Sequence, residues 1–315
     1  MKKPVIFSLY RNFKDEIPIQ PQGVWGIMGN PPRGDSGRMR RRGAFWSARG
    51  AIAPMDKIVP NVVRLILFLL IFFSFQAICI PAPEREDALT VAAAANLQSA
   101  LEELKTAFEK EAEVKIKTVL GSSGRLTAQI ENGAPFDVFL SADMKYPQAL
   151  YQKGLSLTPP RIYAYGILVL WSTKDLDLST GIQALTDAAG IKKIALANPE
   201  LAPYGRAAVH AMKYYGLYQQ LKKKLVYGES IAQVNDFIAL QSADIGFTVK
   251  STIFSPNLKS QGVWIEVSAE SYDRLAQGAI VLKRAENKPL AEKFFRFLFS
   301  PEAKTIFQKY GYKRG

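Results

Sequence analysis

The chain has 315 residues, of which 48% are hydrophobic and 22% charged, a composition that indicates a globular protein with one or two buried cores. Its formal net charge is +13, and residues 1–54 contribute ten Lys and Arg against three Asp and Glu. The other basic residues are not interleaved with aromatic residues, so nucleic-acid binding is not expected. With one cysteine, Cys79, and one histidine, His210, the chain excludes an internal disulfide and a zinc site built from several His ligands.

The N-terminal part divides by composition into a basic segment and an apolar segment. Residues 1–54 are rich in Arg, Gly and Pro without a steady period, so we expect a disordered extension or an upstream translation foreign to the protein. Residues 65–80 form an apolar run that follows Lys57 and Arg64, which is the pattern of a secretory signal. The sequence therefore predicts a signal peptide or membrane anchor at 55–82, starting at Met55, with lipidation of Cys79 as an alternative.

From residue 88 the hydrophobic pattern alternates between strands and helices. The predicted elements of the first part are a strand at 88–95, a helix at 97–110 with Asn96 as its N-cap, a strand at 114–120, a helix ending at 131, a strand at 137–140 and a helix ending near 153. This alternation is typical of a parallel α/β sheet.

The second part of the chain repeats the alternation. The predicted elements are a long strand at 163–172, a strand at 193–197, a helix at 205–215, a strand at 224–227, a helix from 231, a strand at 245–248, an extended run at 279–283, and helices at 290–299 and 301–310. The strands at 163–172 and 279–283 are predicted to cross between two lobes. We therefore expect two α/β lobes around a cleft, with lobe 1 at 83–165 and 276–315 and lobe 2 at 166–275.

Four short segments each follow a predicted strand and precede a predicted helix. They are Ala94-Ala-Asn-Leu97, Gly121-Ser-Ser-Gly124, Ala202-Pro-Tyr-Gly205 and Glu229-Ser-Ile231. A helix start presents unpaired backbone N–H groups and the positive end of the helix dipole, and open α/β sheets bind ligands at this edge. Together the four segments predict an anion site without formal positive charge. The plain alternatives stay open: Asn96 as a cap, Ser123 as a turn residue and Tyr204 as a surface aromatic.

Other polar residues give weaker signals. Asp137 and Asp143 could be read as a catalytic pair, but no nucleophile or base supports that reading, so we expect caps or contacts at the lobe interface. His210 is expected to be a packing or surface residue. Arg125 is the cation beside a candidate site and is expected to project outward from its helix.

Over residues 89–312 the sequence resembles the periplasmic molybdate-binding proteins of ABC transporters. The motifs that carry the resemblance are Val91-Ala-Ala-Ala-Ala-Asn-Leu97, Gly121-Ser-Ser-Gly124, the run from Gln129 to Asp143, Asn198-Pro-Glu-Leu-Ala-Pro-Tyr-Gly205 and Ala243-Asp-Ile-Gly246. The resemblance implies an α/β periplasmic-binding-protein fold of type II with two crossing strands between lobes. It also implies high-affinity binding of molybdate or tungstate in the cleft, no cofactor and no catalysis. The implied protein is a periplasmic monomer that delivers its ligand to an ABC permease in the inner membrane.

The resemblance also assigns the ligand-binding residues, which contact the oxygens of the oxyanion rather than the metal. Asn96 would supply its side chain or backbone N–H, Ser123 its hydroxyl and Ile231 its main-chain N–H. Ala95 stands where some members of the family have a hydroxyl, so one donor is missing. Another branch of the family uses a later tyrosine, where this chain reads Phe247-Thr-Val249, and Tyr204 is therefore expected to supply the phenol.

Three rival functions remain from the sequence. The first is a receptor for another oxyanion such as sulfate or phosphate. The second is an enzyme that uses Asp137 and Asp143. The third is a membrane-anchored interaction protein that uses the basic segment 1–54.

Overall fold

The computed structural model describes residues 88–187, 190–256, 261–286 and 288–315, so the predicted segments at 1–54 and 55–82 lie outside the described residues. The strands are β1 (Leu89–Ala94), β2 (Ile116–Gly121), β3 (Val138–Leu140), β4 (Arg161–Gly166), β5 (Leu168–Ser172), β6 (Ile194–Ala197), β7 (Leu225–Gly228), β8 (Ile245–Val249), β9 (Val263–Glu266), β10 (Leu275–Val281) and β11 (Lys313–Arg314). The helices are α1 (Gln98–Ala112), α2 (Ser123–Glu131), α3 (Lys145–Gln152), α4 (Ala184–Asp187), α5 (Pro203–Tyr214), α6 (Tyr218–Leu221), α7 (Ile231–Ala239), α8 (Lys250–Ile253), α9 (Pro289–Phe297) and α10 (Pro301–Lys309). In these ranges no helix has the length and apolar character needed to cross a membrane.

The strands form two separate sheets, each of which defines a lobe. Sheet 1 has six strands in the order β11-β4-β10-β3-β1-β2, and sheet 2 has five in the order β7-β6-β8-β5-β9. In sheet 1, β1 pairs in parallel with β2 and β3, while β10 pairs antiparallel with β3 and β4. In sheet 2, β6 pairs in parallel with β7 and β8. The predicted two-lobed α/β fold is confirmed, and we call the sheet-1 part lobe 1 and the sheet-2 part lobe 2.

Both faces of sheet 1 are covered at strand β1, which explains why five of its six residues are apolar. Alternate residues of β1 point to opposite faces: Val91 packs with Phe108 of α1 and Phe294 of α9, whereas Ala92 packs with Leu126 of α2 and Leu150 of α3. Lobe 2 has its own core, and Trp171 on β5 is one of the largest side chains fully buried in it.

The chain passes between the lobes twice. On the first passage β4 of sheet 1 leads into β5 of sheet 2 with only Ile167 between them, so the predicted strand at 163–172 is two strands in different sheets. On the second passage residues 267–274 lead from β9 back to β10. The predicted run at 279–283 covers only the end of β10, which begins at Leu275, because the polar Gln277 and the small Gly278 interrupt the apolar pattern. Sequence reasoning also missed β9, a short strand at the edge of sheet 2.

Gly205 lets helix α5 lie directly against the end of strand β6. A Cβ atom at this position would lie 2.0 Å from the backbone oxygen of Ala197, which is far inside van der Waals contact. The backbone of Gly205 is helical, so the constraint is the close approach rather than a left-handed conformation. This approach fixes the start of α5, and with it Tyr204, at the carboxyl end of β6.

We predict that Gly205→Ala destabilises the protein by about 1–3 kcal/mol through overpacking, although alanine favours a helix by about 1 kcal/mol over glycine. The free energy of unfolding in urea measures this change. Gly190→Ala is the matched control, because its Cβ would meet only Leu176 Cδ2 at 3.9 Å. A Gly205→Ala variant as stable as the control would contradict the close-approach explanation.

Candidate functional site

All four segments singled out in the sequence line one cavity between the lobes. Its volume is about 10 Å³, the room of one water-sized sphere. The lining residues come from the ends of strands and the starts of helices; they are Ala94, Ala95, Asn96, Gly121, Ser122, Ser123, Ala142, Ala202, Pro203, Tyr204 and Ile231. The structure therefore brings together the five predicted site residues. Of the other lining residues, Ala142 lies outside the four segments, and Ser122 lies within one of them but was not predicted to bind the ligand.

The helix starts around the cavity are not capped by side chains. No side-chain cap bond is made at Ser122 before α2, at Ala202 before α5 or at Ser230 before α7. The first N–H groups of a helix have no partner within the helix, and the dipole adds partial positive charge there. One of these groups, the Gly124 N–H, donates to Leu201 O of lobe 2 at 2.9 Å. The arrangement leaves donors from both lobes around a neutral cavity.

Ser123 is held at the start of α2 with its hydroxyl proton available. The residue is 1% exposed, and its Oγ accepts a bond from the Ala142 N–H at 3.0 Å. A hydroxyl that accepts one bond still has a proton to donate. Ser123 can therefore act as a fixed donor.

Tyr204 presents a buried phenol from α5 of lobe 2. Its hydroxyl accepts a bond from Gln277 Nε2 at 3.1 Å, and the residue is 1% exposed. Burial, with a further contribution from Tyr312, raises the pKa of Tyr204 well above its usual value near 10. The phenol is therefore protonated at neutral pH and can donate. Gly166 makes room for it, because a Cβ there would lie 1.9 Å from the phenol oxygen.

Asn96 does not cap α1, so that prediction is wrong. A 3₁₀ turn at Ala95–Leu97 precedes the helix, and the Asn96 amide Nδ2 donates to Gln277 Oε1 at 2.9 Å and to the Tyr312 hydroxyl at 3.2 Å. Its backbone oxygen accepts from Tyr312 at 2.7 Å and from Ser251 Oγ at 2.8 Å. Both side-chain protons are used within the protein, which leaves the backbone N–H as the group with which Asn96 can meet an anion.

Gln277 is the residue that links the two sides of the site, and sequence reasoning missed it. It is fully buried at a bulge in β10, accepts from Asn96 and from the Tyr163 hydroxyl at 2.8 Å, and donates to Tyr204. The available signal was a polar residue inside an otherwise apolar strand, since buried polar groups of this kind are normally hydrogen-bonded.

The two lobes contact each other at the rim of the cavity. Arg206 of α5 forms an ion pair with Asp143 of lobe 1, and Arg125 of α2 forms one with Glu229 of lobe 2. The Arg125 side chain is half-exposed and does not line the cavity, in agreement with the expectation that it projects outward. Burial raises the pKa of Asp143, and the Arg206 guanidinium opposes this shift. Both ion pairs therefore join residues of the two lobes.

The remaining predicted polar residues have structural partners. Asp143 lies at the lobe interface as expected, but Asp137 does not: it accepts from the Thr90 N–H at 2.8 Å and from Lys288 Nζ at 3.0 Å, all within lobe 1. His210 is half-exposed, and its Nδ1 lies 3.2 Å from Asp273 Oδ2 beside a larger cavity of about 240 Å³. Within the described ranges no group of three His, Cys, Asp or Glu could hold a metal ion.

Two α/β lobes with hydrogen-bond donors from both lobes around the cavity between them define a solute-binding protein. The sequence profile of the family described as bacterial extracellular solute-binding protein matches residues 89–313, and the chain belongs to this family.

Individual proteins of this family are also similar to the chain. The molybdate-binding protein ModA of Azotobacter vinelandii is 36% identical over 223 residues, 70% of this chain and 88% of the relative. ModA of Rhodobacter capsulatus is 35% identical over 239 residues, 75% of this chain and 92% of the relative. The solved structure of the A. vinelandii periplasmic molybdate-binding protein has a TM-score of 0.68 at 34% identity, covering 72% of this chain and 99% of that one. The sulfate-binding protein SubI of Mycobacterium tuberculosis, with a TM-score of 0.60 at 13% identity over 72% of this chain and 86% of that one, shares the fold alone.

Because of its buried tyrosines, the protein should lose stability as the pH rises in the alkaline range. Burial raises the pKa of Tyr312 to about 12, whereas an unfolded tyrosine titrates near 10. Between about pH 10 and 12 the unfolded state has lost a proton that the folded state keeps, so the free energy of unfolding falls as the pH rises. We predict a shallower fall for Tyr312→Phe, measured by urea unfolding at pH 8, 10 and 11. Tyr151→Phe, which removes an exposed hydroxyl, is the control, and equal slopes in the two variants would contradict the prediction.

Proposed function

We propose that this protein binds molybdate in the cavity between its lobes and delivers it to an ABC importer. The observation that carries the proposal is the neutral set of donors from both lobes, since no charged side chain is among the described residues that line the cavity. The ModA relatives, which bind molybdate by name, share 35–36% identity with the chain and support this ligand.

Neutral donors suit a tetrahedral dianion. Burying such a charge without partners would cost far more than the protein could supply, so its oxygens need hydrogen bonds. Bonds from N–H and O–H groups to a charged acceptor are about twice as strong as those between neutral groups. In the proposed complex Ser123 and Tyr204 donate hydroxyl protons, and Asn96 and Ile231 donate backbone N–H groups. Ala95 contributes only its backbone, because its side chain has no donor.

The proposed site has no group that titrates near neutral pH. Tyr204 keeps its proton because burial raises its pKa, and backbone N–H groups do not ionise in this range. We therefore expect the affinity for molybdate to vary little between pH 6 and 8.

The two ion pairs between the lobes suggest how the ligand could favour closure of the lobes. Opening the lobes would break the ion pairs of Arg206 with Asp143 and of Arg125 with Glu229, so a ligand held by both lobes favours the closed form. We propose that the closed form docks on a permease of the inner membrane. We further propose a periplasmic monomer without cofactor or catalytic activity, exported through segment 55–82 or anchored by it.

The rival functions differ in what they require of the site. Tungstate has the same shape and charge as molybdate, so both are proposed ligands. Sulfate is a smaller tetrahedron that would leave donors unmatched, at a cost of about 1–3 kcal/mol for each donor. For the enzyme alternative, the carboxylates of Asp137 and Asp143 are engaged by Lys288 and Arg206, and neither residue lines the cavity.

Calorimetric titration of the purified protein with molybdate, and separately with sulfate, tests the proposed function. We expect one molybdate per chain and no heat from sulfate. Equal affinities for the two anions would contradict the proposed selectivity, and no heat from either would contradict oxyanion binding.

We predict that Ser123→Ala and Tyr204→Phe each raise the dissociation constant for molybdate about 10- to 100-fold, because each removes a bond to a charged acceptor. Tyr214→Phe is the matched control, since Tyr214 lies on the same helix as Tyr204 but is 61% exposed. The melting temperature without ligand separates a lost ligand bond from a damaged fold. Wild-type affinity in both site variants would contradict their assignment.

A further inference from the structure

Ser122 carries a buried hydroxyl without a hydrogen-bond partner in the protein. The residue is 4% exposed, and its Oγ is one of three buried side-chain atoms without a partner among the described residues. The other two, Gln129 Oε1 and Asp137 Oδ1, do not belong to residues that line the cavity. Since an unsatisfied buried hydroxyl is costly, the position calls for a partner that the protein itself does not provide.

The local structure removes the usual explanation for a serine at this place. Ser122 is the N-cap residue of α2, with an extended backbone of φ −71° and ψ 147°, and a serine there normally accepts a bond from an N–H of the first turn. Ser122 makes no such bond, and the Gly124 N–H donates to Leu201 O of the other lobe instead. The hydroxyl therefore does not cap the helix.

The Ser122 hydroxyl lies at the cavity between the lobes. Ser122 lines it together with Ser123 of the same turn and with Tyr204 and Ile231 of the other lobe. Strand β1 lies beside β2, with Ala94 paired to Gly121, so Ala95 lies close to this turn but offers only a methyl group. Any additional side-chain hydroxyl from this part of lobe 1 thus comes from Ser122.

We propose that Ser122 is a ligand-binding residue in its own right, which donates its hydroxyl proton to the bound oxyanion beside the bond from Ser123. This inference rests on the proposed function and deepens it. In the arrangement of the lobes seen here the Ser122 hydroxyl is buried and has no partner in the protein, so its bond to the anion replaces no bond within the protein. Ser123 differs, because its Oγ also accepts the Ala142 N–H and supports the ligand-free fold.

Titration of Ser122→Ala with molybdate tests the proposal. We expect the dissociation constant to rise about 10- to 100-fold, while the melting temperature without ligand stays at the wild-type value or rises. Ser122→Cys keeps the shape of the side chain with a weaker donor, so its affinity should fall between those of wild type and Ser122→Ala.

Ser300→Ala provides the matched control for capping. Ser300 does cap its helix, because its Oγ accepts from the Ala303 N–H at 3.1 Å, so this variant should lower the melting temperature and leave the affinity unchanged. A Ser122→Ala variant with wild-type affinity would overturn the proposal, whether or not its melting temperature falls. If the wild-type protein itself binds no molybdate, the proposed function fails first.

Discussion

Helix starts that are left without side-chain caps cost stability in most proteins, because their first N–H groups need partners. In this protein three such starts and the 3₁₀ turn at Ala95–Leu97 meet at one cavity, although serines stand at two of the cap positions. The close approach of α5 to β6 at Gly205 and the pairing of β1 with β2 place these starts within reach of a single small anion. The rest of the site depends on this convergence.

A buried polar network around Gln277 of β10 supports the site. Gln277 joins Asn96 of lobe 1 to Tyr204 of lobe 2, and Tyr312 and Ser251 hold the backbone oxygen of Asn96. Networks of this kind are stable only when their members are satisfied, so they fix the orientation of the groups they include. When the lobes are closed, the proposed donors are therefore held in fixed positions by contacts within the protein. The ion pairs at the rim add contacts that exist only when the lobes are closed.

Much of the fold could be predicted from the sequence, because strands buried on both faces are apolar runs and the helices between them have a clear period. The four strand-to-helix segments were recognisable for the same reason. The role of the Asn96 side chain was not, since its partners Gln277 and Tyr312 lie 181 and 216 residues away along the chain. In the sequence, the polar Gln277 interrupts the apolar pattern of β10, so the strand was predicted to begin only after it. Two adjacent serines in one turn cannot be told apart by pattern alone, and only the contacts distinguish Ser123 from Ser122.

The proposed function requires that an oxyanion lies between the lobes and is held by neutral donors from both. Diffraction from crystals grown with molybdate, recorded near the molybdenum absorption edge, locates the metal atom directly. We expect one anomalous peak per chain in the cavity bounded by Ser123, Tyr204 and Ile231, with oxygens at hydrogen-bond distance from these residues and no lysine or arginine in contact. A peak at a charged surface site, or a cavity without a peak at saturating molybdate, would contradict the proposed function.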